Sequence, residues 1–306
     1  MSGVIRRCLP DISQVIVYKG HEKNPLFGPY ADSIKKLITM FKNLNPYREA
    51  NGKRTWTVIS IAGEELVDRL KEANPEETLL IMPAGQTSRL DAVFTVAETT
   101  FLKDEFFSKG GRGYFTCGAA YWASSKRIYR DLCEGQSEKI QPTVKTSKLS
   151  LFDGTSEGPL CPYPGHENKV GFYHDAVRLN DGENECTIYL SGGGSCILEE
   201  GAQKVKVLVR YLHSELFRLG KEKEEVRKWE NAAIMASVGK GAVLLSMFHP
   251  YYGAGDIDVE LYERVFSNCG TNWREVKDKL SPLDVRMKFV YKMVCQLEEM
   301  DVETSR

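Results

Sequence analysis

The chain has 306 residues, of which 42% are hydrophobic, 10% aromatic and 27% charged, the makeup of a globular protein and not of a disordered, collagenous or coiled-coil one. Forty-one Lys and Arg stand against 42 Asp and Glu, a net charge of −1, so no bulk field draws it to nucleic acid or anionic lipid. The longest apolar runs, such as Gly241 to Phe248, fall short of the roughly 18 to 20 residues that span a bilayer, so no membrane helix is expected.

The first residues, up to Gln14, carry no apolar h-region, and a secretory leader is not expected. Cysteines at 8, 117, 133, 161, 186, 196, 269 and 295 form no Cys-x-x-Cys pair. That pattern favours free thiols in a reducing, cytoplasmic setting, with no metal centre and no cofactor.

In chain order, the β-branched run Gln14 to Tyr18 predicts a strand, and apolar residues Ile34, Leu37, Ile38 and Phe41 at helical spacing predict a helix from Tyr30 to Phe41. Thr55 to Ile61 then reads as a strand, Glu64 to about Glu72 as a helix, and Thr78 to Met82 as a strand ending at Pro83. A helix from Phe101 to Ser108, a Gly110-Gly111 break, a strand from Gly113 to Cys117 and a helix starting near Gly118 complete the series. Repeated βα units imply a buried parallel sheet with right-handed crossovers.

From Gln136 to Gly201 the chain is rich in Gly, Pro, Ser and Asn, which predicts antiparallel strands and long loops, including a strand at Cys186 to Leu190. Val205 to Leu212 and Ala232 to Ser237 continue the strand pattern on either side of the charged stretch Lys221 to Lys228. Met287, Val290, Val294 and Leu297 mark one apolar stripe of a C-terminal helix. The expected organisation is one domain over 1–306, with residues 256–306 as a helical extension.

In an open α/β sheet, ligands bind beyond the carboxyl ends of the strands, where loops converge and helix N-termini point their free amides. Pro83 to Gln86 and Thr116 to Ala119 both reach that edge. Cys117 at a strand-to-helix turn is a candidate nucleophile, the helix terminus favouring its thiolate, against the plainer reading of a buried core thiol. The amides of Gly118 and of the turn around Gly85 are candidates for an oxyanion hole. His249, at the end of an apolar strand and just before Pro250, has the pKa range of a base that takes and returns a proton, against the plainer reading of a capped strand-end histidine. His166 and His174 read as loop polars, and a lone Arg112 is too little for a ligase-type basic loop.

Pro83-x-Gly85, Gly110-Gly111 before Thr116-Cys117-Gly118-Ala119-Ala120-Tyr121, and Gly239-x-Gly241 with Phe248-His249-Pro250 together resemble the class I glutamine amidotransferase-like superfamily. Val17-Tyr18 with Gly20, Leu149 to Phe152 with Gly154 and Gly158-Pro159, and Tyr189 to Gly194 narrow the resemblance to the N-terminal domain of eukaryotic-type biotin-protein ligases. The resemblance implies a flavodoxin-like, mostly parallel α/β sheet with helices on both faces, an antiparallel insertion and a helical tail. It implies Cys117 as nucleophile, His249 as base and Gly85 and Gly118 as oxyanion donors, with Gln86, Tyr121, Gly193 and Tyr251 around a small-molecule pocket. Nucleic acid, membrane and biotin transfer are not expected.

Two departures stand out. Family elbows place glycine two before and two after the cysteine, and here those positions hold Phe115 and Ala119. Tyr251 occupies the place of the triad acid, leaving Asp256 or Asp258 as distant substitutes, or Tyr251 or Tyr252 to fix the imidazole tautomer. Two functions follow: a cysteine-dependent hydrolase of a small amide or ester, or a non-catalytic binding or regulatory module that keeps the fold.

Overall fold

The computed structural model describes residues 11–21, 29–130, 142–161, 174–199, 204–212, 217–218, 230–267 and 270–300. His166, the charged stretch Lys221 to Lys228 and Cys8, Cys133 and Cys269 lie outside the described residues.

The first half alternates as the periodicity predicts: β1 (Gln14–Tyr18), α1 (Pro29–Ala50), β2 (Thr57–Ile61), α2 (Gly63–Glu72), β3 (Thr78–Met82), α3 (Thr87–Val93), α4 (Val96–Thr100), β4 (Arg112–Thr116) and α5 (Gly118–Ala123). A π-helical stretch, Phe101–Phe107, continues α4 where a plain helix is expected. Helix α1 runs beyond Phe41 and through Pro46 to Ala50, because Leu44 and Arg48 are buried there and tertiary packing outweighs the proline's missing donor.

The middle holds β5 (Ser124–Arg130), β6 (Pro142–Thr146), β7 (Phe152–Gly158), β8 (Leu160–Cys161), β9 (His174–Asn180), β10 (Glu185–Ser191), β11 (Ser195–Leu198), β12 (Val205–Tyr211) and β13 (Phe217–Arg218). The chain then returns through β14 (Asn231–Val238) and β15 (Gly241–Ser246) to α6 (Val259–Val265), α7 (Trp273–Lys279) and α8 (Leu283–Glu298).

One nine-stranded sheet runs in the order β10, β9, β12, β14, β15, β4, β3, β1, β2. From β15 to β2 every pairing is parallel, and from β10 to β15 every pairing is antiparallel. The antiparallel segments foreseen for the middle therefore extend the parallel core within the same sheet, and also build a second sheet in the order β11, β7, β5, β6, where β5 and β7 differ from that expectation by pairing in parallel.

Strand alternation sorts the core into two layers. Val15, Val17, Leu79, Ile81 and Leu244 meet Leu37, Phe41 and Leu44 of α1 and Val290, Val294 and Leu297 of α8 on one face. Ile16, Leu80, Met82, Phe115 and Leu245 meet Leu66 and Leu70 of α2, the whole of α5 and Phe152 of the second sheet on the other. Helices cover both faces, the flavodoxin-like α/β arrangement, and β3, β4 and β15 read as unbroken apolar runs because both their sides are buried. Among the described residues no helix is long and apolar enough to cross a membrane.

Candidate active site

Strand β4 ends at Thr116 beside Ser246 of β15, and the Cys117 amide donates to the Ser246 carbonyl at 2.7 Å. This pins the turn at the carboxyl edge of the sheet. Cys117 then takes φ 49° and ψ −115°, a left-handed conformation that a side chain adopts only at a cost of about 1–3 kcal/mol. A Cβ on Gly118 would run into the Gly85 carbonyl oxygen, so only glycine lets the two turns pack together. Thr87 donates its hydroxyl to the Gly118 carbonyl at 3.0 Å and ties the start of α3 to the same bend.

The sulfur is met from the far side of the sheet. Strand β10 ends at Ser191, whose carbonyl accepts from Cys117 Sγ at 3.6 Å. The chain turns there through Gly192 at φ 69° and Gly193 at φ 61°. Tyr121 donates to the Gly193 carbonyl and Tyr211 to the Gly194 carbonyl, both at 2.8 Å, so two buried phenols hold the glycine turn against the elbow. The amides of Gly118 and Gly193 both favour the thiolate. Burial nevertheless dominates, because the sulfur touches solvent only through a cavity, and pushes the thiol up to about 11. The expected lowering by the helix terminus is thus reversed: α5 has only six residues, and its partial charge is outweighed by desolvation.

His249 arrives by a separate route. Its backbone amide donates to the Tyr189 carbonyl at 2.9 Å, an isolated bridge that sets the residue beside Ser191, two positions further along β10. The imidazole is buried, its Nδ1 shares a 2.7 Å hydrogen bond with the Tyr251 hydroxyl, and its Nε2 has no hydrogen-bond partner among the described residues. Burial brings its pKa down to about 4, and the Ser191 carbonyl is the group that favours the charged form. Cys117 and His249 therefore converge on one carbonyl, each in its neutral state.

Among the described residues no carboxylate orients the ring. Asp256 pairs with Lys36 at 2.5 Å and accepts from the Gly253 amide at 2.7 Å, while Asp258 caps α6 by accepting from the Leu261 amide at 3.0 Å. Tyr251 takes the orienting place, as the sequence allowed. Among the described residues no cluster of His, Cys, Asp and Glu could hold a metal ion.

A cavity of about 320 Å³ opens over the elbow. Gly85, Gln86, Cys117, Gly118, Tyr121 and Gly193 line it, which unites six of the eight residues singled out from sequence. His249 and Tyr251 do not line it. Tyr251, foreseen at the pocket wall, instead stands behind the imidazole. Gly85, foreseen as an oxyanion donor, turns its carbonyl toward Gly118, and the Gly118 amide favours the thiolate together with that of Gly193, which also donates to the Ser191 carbonyl at 2.7 Å.

The family model described as biotin-protein ligase, N terminal, matches residues 14–305. The chain belongs to this family. The biotin-protein ligase of Schizosaccharomyces pombe is 29% identical over 226 residues, 71% of this chain and 31% of the ligase, so the chain spans about a third of that curated relative's length. A glutamine amidotransferase from Thermotoga maritima is similar at 14% identity and a TM-score of 0.45, covering 94% of this chain and 99% of its own. A ThuA-like protein from Parabacteroides merdae follows at 9% identity and 0.44, covering 97% and 93%.

Within this biotin-protein ligase N-terminal chain, Phe115 at the elbow has a physical explanation. The Phe115 ring lies over Gly113, where a Cβ would collide with it, so a glycine two residues earlier opens the room that the bulky side chain needs beneath the turn. Residues that the sequence did not single out complete the described lining: Thr87 and Ser88 of α3, Ser191, and Arg127, Tyr129, Thr143 and Lys145 from β5 and β6. The glycine run after Ser191 hinted at a close approach. Nothing local marks β5 and β6, because their facing residues are set by a pairing across residues that form no motif.

Proposed function

We propose that this pocket is the site of an amidotransferase-like cysteine hydrolase acting on a small amide or ester. The observation that supports it most is Cys117, held at positive φ with two glycine amides favouring its thiolate, a strained arrangement that packing alone does not call for. In the reaction, Cys117 Sγ adds to the substrate carbonyl carbon as its proton passes to His249 Nε2. The oxyanion accepts from the Gly118 amide and from that of Gly193 as it leaves the Ser191 carbonyl, and the amine or alcohol departs with that proton. Water, deprotonated by the same imidazole, then releases the acyl group. Tyr251 fixes which ring nitrogen is free. At rest the thiol donates to the Ser191 carbonyl, so substrate entry must turn the sulfur from that acceptor toward the imidazole.

A second reading, a binding module without turnover, is favoured by the same Ser191 contact and by the lack of an acid behind His249. A panel of small amides and esters, followed by product release and by intact mass, separates the two. Turnover with an acyl adduct that disappears in Cys117→Ala is the expected result. Ligand-induced thermal shifts without product in either protein would leave the binding module standing.

A further inference from the structure

The second sheet gives the cavity a charge. Residues directly opposite on an antiparallel ladder share a face. The pairing of β5 with β6 sets Arg127 opposite Lys145 and Tyr129 opposite Thr143, and all four line the cavity over Cys117. Two cations so placed repel and weaken the ladder. One is partly neutralised: Arg127 is buried, forms an ion pair with Asp91, and donates to the Ser147 hydroxyl at 3.5 Å. These two bonds leave further guanidinium donors available. Lys145 is exposed at the mouth and has no ion pair or hydrogen bond among the described residues. Among the described residues lining the cavity there is no carboxylate, and the charged ones, Arg127 and Lys145, are both cations.

We infer that Arg127 and Lys145 form a subsite for an oxyanion group, a carboxylate or a phosphate, on the molecule whose carbonyl lies at Cys117. The inference rests on the reading above for that carbonyl, yet the anion contact stands or falls by its own measurement. Arg127, fixed by Asp91, supplies directed donors at the wall. Lys145, on a flexible stem, supplies a mobile charge at the entrance. A substrate with an anionic group would enter past the lysine and dock against the arginine, which sets its length and orientation relative to the sulfur.

Two probes of nearly equal shape test this. Iodoacetate is anionic and iodoacetamide is neutral, and both alkylate a cysteine. The ratio of the iodoacetate rate to the iodoacetamide rate at Cys117 is expected to exceed that of a free thiol. It should fall roughly ten-fold in Lys145→Gln and further in Lys145→Glu, and recover in Lys145→Arg, at the low end of charge-steering effects. A ratio equal to that of free cysteine and unmoved by Lys145→Glu overturns the subsite. If Cys117 resists iodoacetamide altogether, the nucleophile reading fails, and succinate and inorganic phosphate titrated by thermal shift decide the anion site alone. A stabilisation by either anion, beyond that of sodium chloride and lost in Lys145→Glu, keeps the site and tells carboxylate from phosphate. No stabilisation by either one removes it.

Discussion

The two ends of the parallel strands treat buried ionisable groups in opposite ways, although the strand-start end also keeps one unpartnered polar atom, Trp56 Nε1, among the described residues. Where the strands begin, Arg48 is wholly buried, yet it donates to the carboxylates of Asp11 and Glu298 and to the carbonyls of Ile12 and Arg54, and it lies 4.2 Å over the Trp56 ring. Arg112, close by, donates to the carbonyls of Gly110, Lys240 and Leu297, which makes it a structural clamp on the C-terminal helix. Where the strands finish, His249 and His174 are buried with Nε2 left unpartnered among the described residues, and Cys117 holds a strained backbone. Partnered charges weld one end of the sheet. Unpartnered burial and strain cost stability at the other, and they persist where a site needs them.

The largest test of that contrast removes the weld. Arg48→Ala leaves Glu298 with Lys53 alone, strips Asp11 of its buried partner and uncovers Trp56, and urea unfolding should show a loss of about 3 kcal/mol, the low end for buried pairs broken on one side. Alkylation of Cys117 in the folded variant should change little, since the two ends are separate. A loss below about 1 kcal/mol would mean that the strand-start end is not held by its charges.

Acid should strike the other end. His249 and His174 titrate near 6.5 when unfolded, but burial lowers them to about 4 and about 3 in the fold, with the His249 charge a further cause at His174. Below pH 6.5 the unfolded chain therefore binds more protons, so stability is full above that value and falls as the pH drops toward 4 and 3. At pH 5 the loss is about 2 kcal/mol for each histidine. Urea midpoints at pH 7 and pH 5 check this, and a flat profile would place the two rings in contact with solvent.

The smallest effect concerns the elbow itself. Cys117→Gly relieves the left-handed strain that Cys117→Ala retains, so the glycine variant should be the more stable of the two by about 1 kcal/mol, after the flexibility glycine adds to the unfolded chain. Equal stability of the two would show that the bend is relaxed and weaken its reading as a functional device.

Much of the scaffold was legible because it rests on local rules. The apolar runs at Thr78 to Met82 and Gly241 to Ser246 are strands buried on both sides, and the stripe through Met287, Val290, Val294 and Leu297 is the buried face of α8. The sharp turn at Cys117 was legible too, since a strand run into Gly118 and Ala119 leaves few other conformations. The ionisation of the thiol was not. The helix terminus pointed one way and burial another, and only the walls around the sulfur decide which is larger. The tautomer of His249 was open in the same sense: Asp256 and Asp258 were reachable in sequence, but Lys36, the Gly253 amide and the α6 cap engage them.

The amino-acid sequence by itself determined the alternation of strands and helices, the two-layered core and the position of the bend, because propensity, periodicity and glycine sterics act over a few neighbouring residues. Tertiary structure alone decided that the Ser191 carbonyl would accept from the sulfur, that a tyrosine would hold the ring, and that Arg127 and Lys145 would face the same cavity. Those outcomes depend on pairings between strands far apart in the chain and on how much water the finished walls exclude, and neither is written in any local pattern.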